Sequence, residues 1–293
     1  GDPASLTALP DNYLGPIIRV RKGQKVRVHF SNELPGGQPS IVNWHGLVVP
    51  ADMDGHPKYQ VNPGQTYVYE FEVGNRAGTY WFHPHPHDVT PLQVNNGLAG
   101  LFLVSDDEET ALNLPSGEFD VPIVIQDRTF DGANQLSYTA LNSGGMMGGN
   151  SSGGMPGMGG MNHGSMPGGM MGGMNMQGMM DGMMGFLGER ILVNGKPDMV
   201  LPVATGAYRL RLLNGSNARI YKLAWGDGSA MTVIGTDGGL LGAPVEKEFI
   251  MLAPGERVEV WADFSARKLG DELTLESLGF DSGEVILPRL GKA

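Results

Sequence analysis

The sequence predicts an all-β protein built from two β-sandwich domains. The first observation is the alternation in residues 26–30 and 67–73, where apolar side chains occupy every second position, as in a half-buried strand. The second is a pair of Pro-Gly turns, 62–64 and 253–255, which precede similar strands in the two halves and indicate two copies of one unit. The third is the content of 46 Gly and 20 Pro in 293 residues, which is typical of many short strands joined by turns.

The length of 293 residues favours two domains. We predict that residues 1–105 form the first domain, which carries the histidine tracts. Residues 106–116, which begin with a run of acidic side chains, are predicted to be a linker. The second domain is predicted to span residues 117–293 and to contain an insert rich in methionine and glycine at residues 144–185.

Composition excludes two classes of partner. The net charge of -11 argues against nucleic-acid binding, which needs a basic surface. No apolar run is long enough to cross a bilayer. The chain contains no cysteine, so it has no thiolate for metal or redox chemistry.

Two histidine tracts are the strongest functional signal. His83, His85 and His87 alternate along a predicted strand, and side chains two positions apart share a face. His45 follows Trp44 on a second such segment. Imidazole is a ligand for copper, zinc, iron and nickel. A set of surface histidines beside a turn is the alternative, but the repeated spacing favours a metal site.

Several motifs, in this order, resemble those of the three-domain multicopper oxidases, the laccase and metallo-oxidase group. The likeness covers nearly the whole chain apart from the insert, and it implies Greek-key, cupredoxin-like domains that bind copper. The motifs are Trp44-His45-Gly46, Trp81-Phe82-His83-Pro84-His85 and the segments 97–104, 191–195, 209–219 and 252–257.

The resemblance also implies roles for individual residues. His45, His83 and His85 match ligands of the type 3 copper pair. Asp54 matches an acid that helps move protons to the oxygen-reducing centre. Asn43 stands where the family has the type 2 copper histidine, and an amide is a weaker copper ligand than an imidazole.

Two family features are missing from this chain. The family's third domain supplies the type 1 copper cysteine and the remaining histidines of the eight at the trinuclear centre. We therefore expect the N-terminal two-domain part of an enzyme that couples oxidation of Cu(I) or phenolic donors to reduction of oxygen to water. This part should be inactive alone. Its expected partner is a third domain on the same gene product or on another chain, and its expected location is periplasmic or secreted.

A different class of function stays open. Some relatives keep the cupredoxin fold, lose the copper ligands and serve as structural partners in the cell envelope. Asn43 and the absence of cysteine agree with such a non-catalytic copper-binding or scaffold protein. Retention of His45, His83 and His85 argues against complete loss of the copper site.

The insert holds fourteen of the eighteen methionines, between Met146 and Met184, and most of its other residues are glycine. Glycine makes ordering costly, so we expect a flexible loop. Thioethers select Cu(I), and the spacing favours copper binding. A linker of biased composition and an oxidation sink are the alternatives. The candidate ligands are Met155, Met158, Met161, Met176, Met179, Met180 and Met183.

Overall fold

The computed structural model describes residues 6–7, 12–138 and 185–281. Within them the chain forms seventeen strands and two short α-helices, which confirms the all-β prediction. The elements of the first half are β1 (Leu6–Thr7), β2 (Ile17–Arg21), β3 (Lys25–Ser31), β4 (Val42–His45), β5 (Thr66–Glu72), β6 (Gly78–Pro84), α1 (Thr90–Asn95), β7 (Gly100–Ser105) and α2 (Asp107–Ala111). Short 3-10 turns cover Pro35–Gly37, Pro57–Tyr59 and Gly117–Phe119.

The second half contributes the remaining strands. They are β8 (Asp120–Phe130), β9 (Leu136–Ser137), β10 (Arg190–Val193), β11 (Ala207–Asn214), β12 (Tyr221–Trp225), β13 (Met231–Thr236), β14 (Gly239–Lys247), β15 (Ile250–Leu252), β16 (Arg257–Asp263) and β17 (Leu275–Ser277). The predicted strands 26–30 and 67–73 correspond to β3 and β5.

The first sandwich consists of a sheet in the order β1-β2-β7-β6-β4 and a β3-β5 ribbon. Their apolar faces enclose one core, in which the Trp44 ring of β4 lies 5.2 Å from the Tyr69 ring of β5 and 5.8 Å from the Phe102 ring of β7. The alternation of β5 buries Tyr69 and Phe71 and leaves the intervening glutamates in solvent. This core therefore holds β4 and β6, the two histidine-bearing strands, on a rigid support.

The second sandwich repeats this plan with a sheet in the order β10-β8-β11-β16-β13-β14 and a smaller β15-β12-β17 sheet. β9 pairs with β8 at the edge. The core between the sheets includes Leu212, Met231 and Val260, all fully buried. Strand pairs β2-β7 and β8-β11 are parallel, whereas the other named pairs are antiparallel.

The two Pro-Gly turns are equivalent in detail. Gln65 donates its N–H to the carbonyl of Asn62 at 3.0 Å, and Glu256 donates to that of Ala253 at 3.0 Å. The glycine after each proline has a φ of +82° or +81°, which a type II turn requires and a side chain disfavours. The glycine of each turn also donates its N–H to the carbonyl of an asparagine at the end of the neighbouring strand, Asn32 just after β3 or Asn214 at the end of β11. This correspondence supports two copies of one sandwich.

A third buried cluster joins the sandwiches. Ile17, Trp81 and Leu101 from the first pack with Val124 and Leu213 from the second. Helix α2 lies within the predicted linker, and the Asp106 side chain caps it by accepting the Glu109 N–H at 2.8 Å. The acidic run is therefore ordered as a helix N-terminus, where negative charge is stabilising. The division of the chain at residues 105 and 117 stays a prediction.

Candidate metal centre

Antiparallel pairing of β4 with β6 builds the candidate centre. The register places Asn43 opposite His83 and His45 opposite Trp81. Residues two apart on a strand share a face, so these four side chains project from the same side of the sheet. β6 ends at Pro84. Proline carries no N–H for a strand ladder, and the tract beyond this point leaves the strand.

His45 and His83 form a close pair. Nδ1 of His45 lies 3.3 Å from Nε2 of His83. Nδ1 of His83 lies 2.9 Å from the carbonyl oxygen of Pro84. When that Nδ1 carries the proton and donates to the carbonyl, Nε2 of His83 presents a lone pair toward His45.

This separation fits two ligands of one metal ion. Imidazole nitrogens lie about 2.0–2.1 Å from a zinc ion, so two that share one ion at a tetrahedral angle are ~3.3 Å apart. Copper takes the same ligand. The nitrogens of His45 and His83 therefore have the spacing that a shared ion needs.

His85 lies beside the pair, and His87 lies apart from it. The His83 and His85 rings are 5.8 Å apart, and the backbone of His85 is held by the carbonyl of Ile41. His87 is exposed, with Nδ1 3.9 Å from the carboxylate of Asp88. Among the described residues, no three His, Asp or Glu side chains are grouped closely enough to hold one ion. This side of the structure thus offers a pair of imidazoles with a third nearby.

Burial favours the neutral form of both rings of the pair. Burial lowers the pKa of His83 to about 4, and the neighbouring His45 and His85 add to this effect against the Pro84 hydrogen bond. Burial also lowers the pKa of His45, with a further contribution from the Arg257 guanidinium that Asp237 partly offsets. Metal binding requires the neutral imidazole, so these shifts leave the ligands available in mildly acidic solution.

Asn43 is hydrogen-bonded to Asp54, the predicted proton-transfer residue. Nδ2 of Asn43 donates to the backbone carbonyl of Asp54 at 2.7 Å and lies 3.3 Å from its carboxylate. The next residue, Gly55, has a φ of +82°, and a Cβ there would lie 2.0 Å from the carbonyl oxygen of Val42. Glycine thus allows the Asp54 loop to lie directly on β4.

The second sandwich also contributes to the centre. A Cβ built on Gly255 would lie 3.4 Å from Cζ2 of Trp81 and 3.6 Å from Cε1 of His45, so this turn lies beside both rings. Arg257 and Asp237 form an ion pair of 3.0 Å beside the turn. The sequence predicts a strand after this Pro-Gly turn, but it gives no indication that the turn lies near His45.

The predicted methionine ligands, Met155 to Met183, lie outside the described residues. The strand before the insert and the segment after it are joined around a buried carboxylate. Asp127 accepts the Gly188 N–H at 2.7 Å and Nε of Arg219 at 2.9 Å. Arg219 in turn donates to the carbonyl of Gly188 at 2.8 Å. These bonds close the second sandwich at the base of the insert.

An open groove of about 440 Å³ lies next to the histidine pair. His83 and Pro84 form part of its wall, and most of the remaining surface is apolar, from residues such as Phe30, Leu34 and Leu98. Leu98 is 38% exposed. The centre therefore borders an uncovered apolar surface of the first sandwich.

Comparison with known proteins identifies the relatives of this chain. Residues 1–109 match the family model described as multicopper oxidase. The multicopper oxidase mco of Staphylococcus aureus is 34% identical over 284 residues, which are 96% of this chain and 53% of that protein. The cell division protein FtsP of Escherichia coli strain K12 is 34% identical over 277 residues, which are 94% of this chain and 49% of that protein.

A solved structure agrees with these relatives. The McoA multicopper oxidase of the hyperthermophile Aquifex aeolicus superposes with a TM-score of 0.73 at 36% identity, covering 92% of this chain and 54% of that one. The chain spans about half the length of the relatives it matches. These findings confirm the resemblance and the all-β, cupredoxin-like fold. No helix within the described ranges has the length and apolar character of a membrane span.

Proposed function

We propose that this chain, a relative of the multicopper oxidases, is the two-domain, copper-binding part of such an oxidase. The whole protein would couple oxidation of Cu(I) or phenolic donors to reduction of oxygen to water. The observation that carries this proposal is the 3.3 Å separation between Nδ1 of His45 and Nε2 of His83.

Each residue of the centre has a distinct part in this proposal. His45 and His83 hold one copper ion, and His85 serves a neighbouring one. The carbonyl of Pro84 holds the proton on Nδ1 of His83, so Nε2 remains the ligand atom. Asp54, which lies beside Asn43, helps move protons to the centre. Bound copper would supply the electron-transfer chemistry, which no side chain here provides.

A third domain is the proposed partner of this chain. The chain has no cysteine and holds too few histidines for the whole centre, so further ligands must come from elsewhere in the oxidase. The exposed apolar groove beside His83 suits coverage by another part of the protein. We further propose a periplasmic or secreted location and Cu(I) binding by the methionines of the insert.

A non-catalytic scaffold is the second candidate function. The hydrogen bond from Asn43 to Asp54 occupies the side chain that would otherwise approach a type 2 copper. A relative of equal identity is named a cell division protein. A scaffold would need the fold and its surfaces but not the histidine pair.

Copper titration of the purified chain separates these candidates. We expect wild type to bind one Cu²⁺ more tightly than His83→Ala, whereas His87→Ala, a change of an exposed histidine in the same tract, should match wild type. The chain should show no blue absorbance and no oxidase activity, because it lacks the type 1 thiolate. Equal Cu²⁺ affinity in wild type and His83→Ala would favour the scaffold.

A further inference from the structure

We propose that Arg257, from the second sandwich, is a positioning residue for the His45–His83 pair of the first. This inference rests on the proposed copper-binding function. Arg257 forms no hydrogen bond with either ring; its described side-chain hydrogen bonds go to backbone carbonyl groups. It acts through three backbone segments that hold the rings in place.

Strand β6 is the first of these segments. Nε of Arg257 donates to the carbonyl of Thr79 at 2.9 Å. Glu259, two residues further along β16, accepts the Thr79 hydroxyl at 2.7 Å. Thr79, Trp81 and His83 lie on one face of β6, because they are two residues apart. β16 therefore holds β6 at Thr79. This residue lies four positions before His83, on the same face of the strand.

The turn that lies beside the His45 ring is the second segment. Nη1 of Arg257 donates to the carbonyl of Gly255 at 3.0 Å, and Nη2 donates to that of Asp237 at 3.1 Å. These bonds join the turn to the loop after β13. Because even a Cβ added to Gly255 would reach van der Waals contact with His45 and Trp81, a fixed turn sets the space beside the imidazole.

The end of β4 is the third segment. A Cβ built on Gly46 would lie 2.9 Å from Nη2 of Arg257 and 3.1 Å from the Tyr80 ring, and Gly46 has a φ of +85°. Arg257 therefore packs directly against the residue that follows His45. One buried guanidinium thus contacts the strand of His83, the turn beside His45 and the chain after His45.

The guanidinium fork is needed for this arrangement. Three nitrogens of Arg257 donate in different directions to three carbonyl groups, and the carboxylate of Asp237 balances the charge. A lysine ammonium has all its donors on one nitrogen and cannot reach these three acceptors. Removal of a group that orients metal ligands typically weakens metal affinity by about 10–100-fold.

The test compares Arg257→Met and Arg257→Lys with Arg219→Met, all in the full chain. Arg219 is a matched control, because it also pairs with a carboxylate and donates to a backbone carbonyl in the second sandwich. The probe is Cu²⁺, which discriminates against the thioethers of the insert. The Cu²⁺ affinity of His83→Ala gives the part of the binding that does not depend on the His45–His83 pair. Thermal unfolding of each variant and the NMR shift of the His45 Cε1 proton without metal are recorded alongside.

We expect both Arg257 variants to weaken Cu²⁺ binding about tenfold or more, whereas Arg219→Met keeps the wild-type affinity despite a comparable loss of thermal stability. The His45 proton, which lies near the Trp81 ring, should shift in the Arg257 variants alone. Wild-type affinity and an unmoved proton in Arg257→Met would overturn the proposal. If wild type and His83→Ala bind Cu²⁺ equally, the copper function fails, and the metal-free shift still decides whether Arg257 positions the ring.

Discussion

Nδ1 of His45 lies 3.3 Å from Nε2 of His83, although the two residues belong to different strands and are 38 positions apart. Without metal, this separation suits a hydrogen bond in which His45 donates to His83. With metal, it suits two ligands of one ion. The pair is therefore arranged for binding before any ion arrives, which reduces the ordering that binding requires.

Acidification should destabilise the metal-free protein because of His83. Burial lowers its folded pKa to about 4, whereas the unfolded value is 6.5, so the unfolded chain binds more protons between these values. The contribution is complete above pH 6.5 and is lost as the pH falls toward 4, on the order of 3 kcal/mol. Urea unfolding at pH 7 and pH 4.5 measures it. His83→Gln, which does not titrate, should lose less stability on acidification; an equal loss would contradict the assignment to His83.

The buried ion network between the sandwiches should be essential for stability. Glu259 accepts hydrogen bonds from Arg209, Arg211 and Thr79 and is fully buried. Glu259→Gln leaves two buried guanidinium groups short of negative charge, and we expect the free energy of unfolding to fall by about 3–5 kcal/mol.

The control for this network is Glu70→Gln, which removes the exposed partner of Arg27. An exposed pair contributes ~0–1 kcal/mol, so this variant should unfold close to wild type. Urea denaturation of both variants measures the difference. Similar midpoints for Glu259→Gln and Glu70→Gln would show that the network does not stabilise the joint.

Asn43→His should raise copper occupancy at the type 2 position, but only in a protein that also contains the third domain. The substitution replaces an amide that donates to Asp54 with a nitrogen donor that binds copper well. Metal content by mass spectrometry and the oxidase rate measure the effect. Asn43→Ala, which loses the same hydrogen bond without adding a ligand, is the control. If Asn43→His and wild type have equal occupancy and rate, Asn43 is not a defect of the copper site.

Deletion of residues 144–185 should leave the fold intact and weaken Cu(I) binding. The bonds of Asp127, Gly188 and Arg219 close the sandwich at the base of the insert without using it. Circular dichroism and a Cu(I) competition titration measure the two outcomes. In a complete enzyme, cuprous oxidation should slow more than oxidation of an organic donor.

A matched control for the deletion keeps the insert at full length and replaces its methionines with serine. It should weaken Cu(I) binding as much as the deletion does, because the thioethers are the proposed ligands. Unchanged Cu(I) affinity in both variants, with an unchanged ratio of the two rates, would leave the insert as a passive linker.

Local patterns in the sequence determined much of the fold. The two-residue period of residues 67–73 predicts which side chains β5 buries, because a pleated strand alternates its faces. The Pro-Gly turns predict two related sandwiches, because their backbone conformation depends on those two residue types. The histidine tracts with Trp44 and Trp81 carry the resemblance to the multicopper oxidases, and they predict the strands that bear the candidate ligands.

Tertiary structure decided how those ligands are held. The alternation treats His83, His85 and His87 alike, yet β6 ends at Pro84, and only His83 of the three is buried against His45. Arg257 lies more than two hundred positions after His45, and packing of one sandwich on the other brings its turn beside that ring. A two-residue period in the sequence predicts only on which face of its own strand a side chain lies. Contacts between strands and sandwiches depend on register and on the burial of distant surfaces, so these relationships could not be predicted from local patterns.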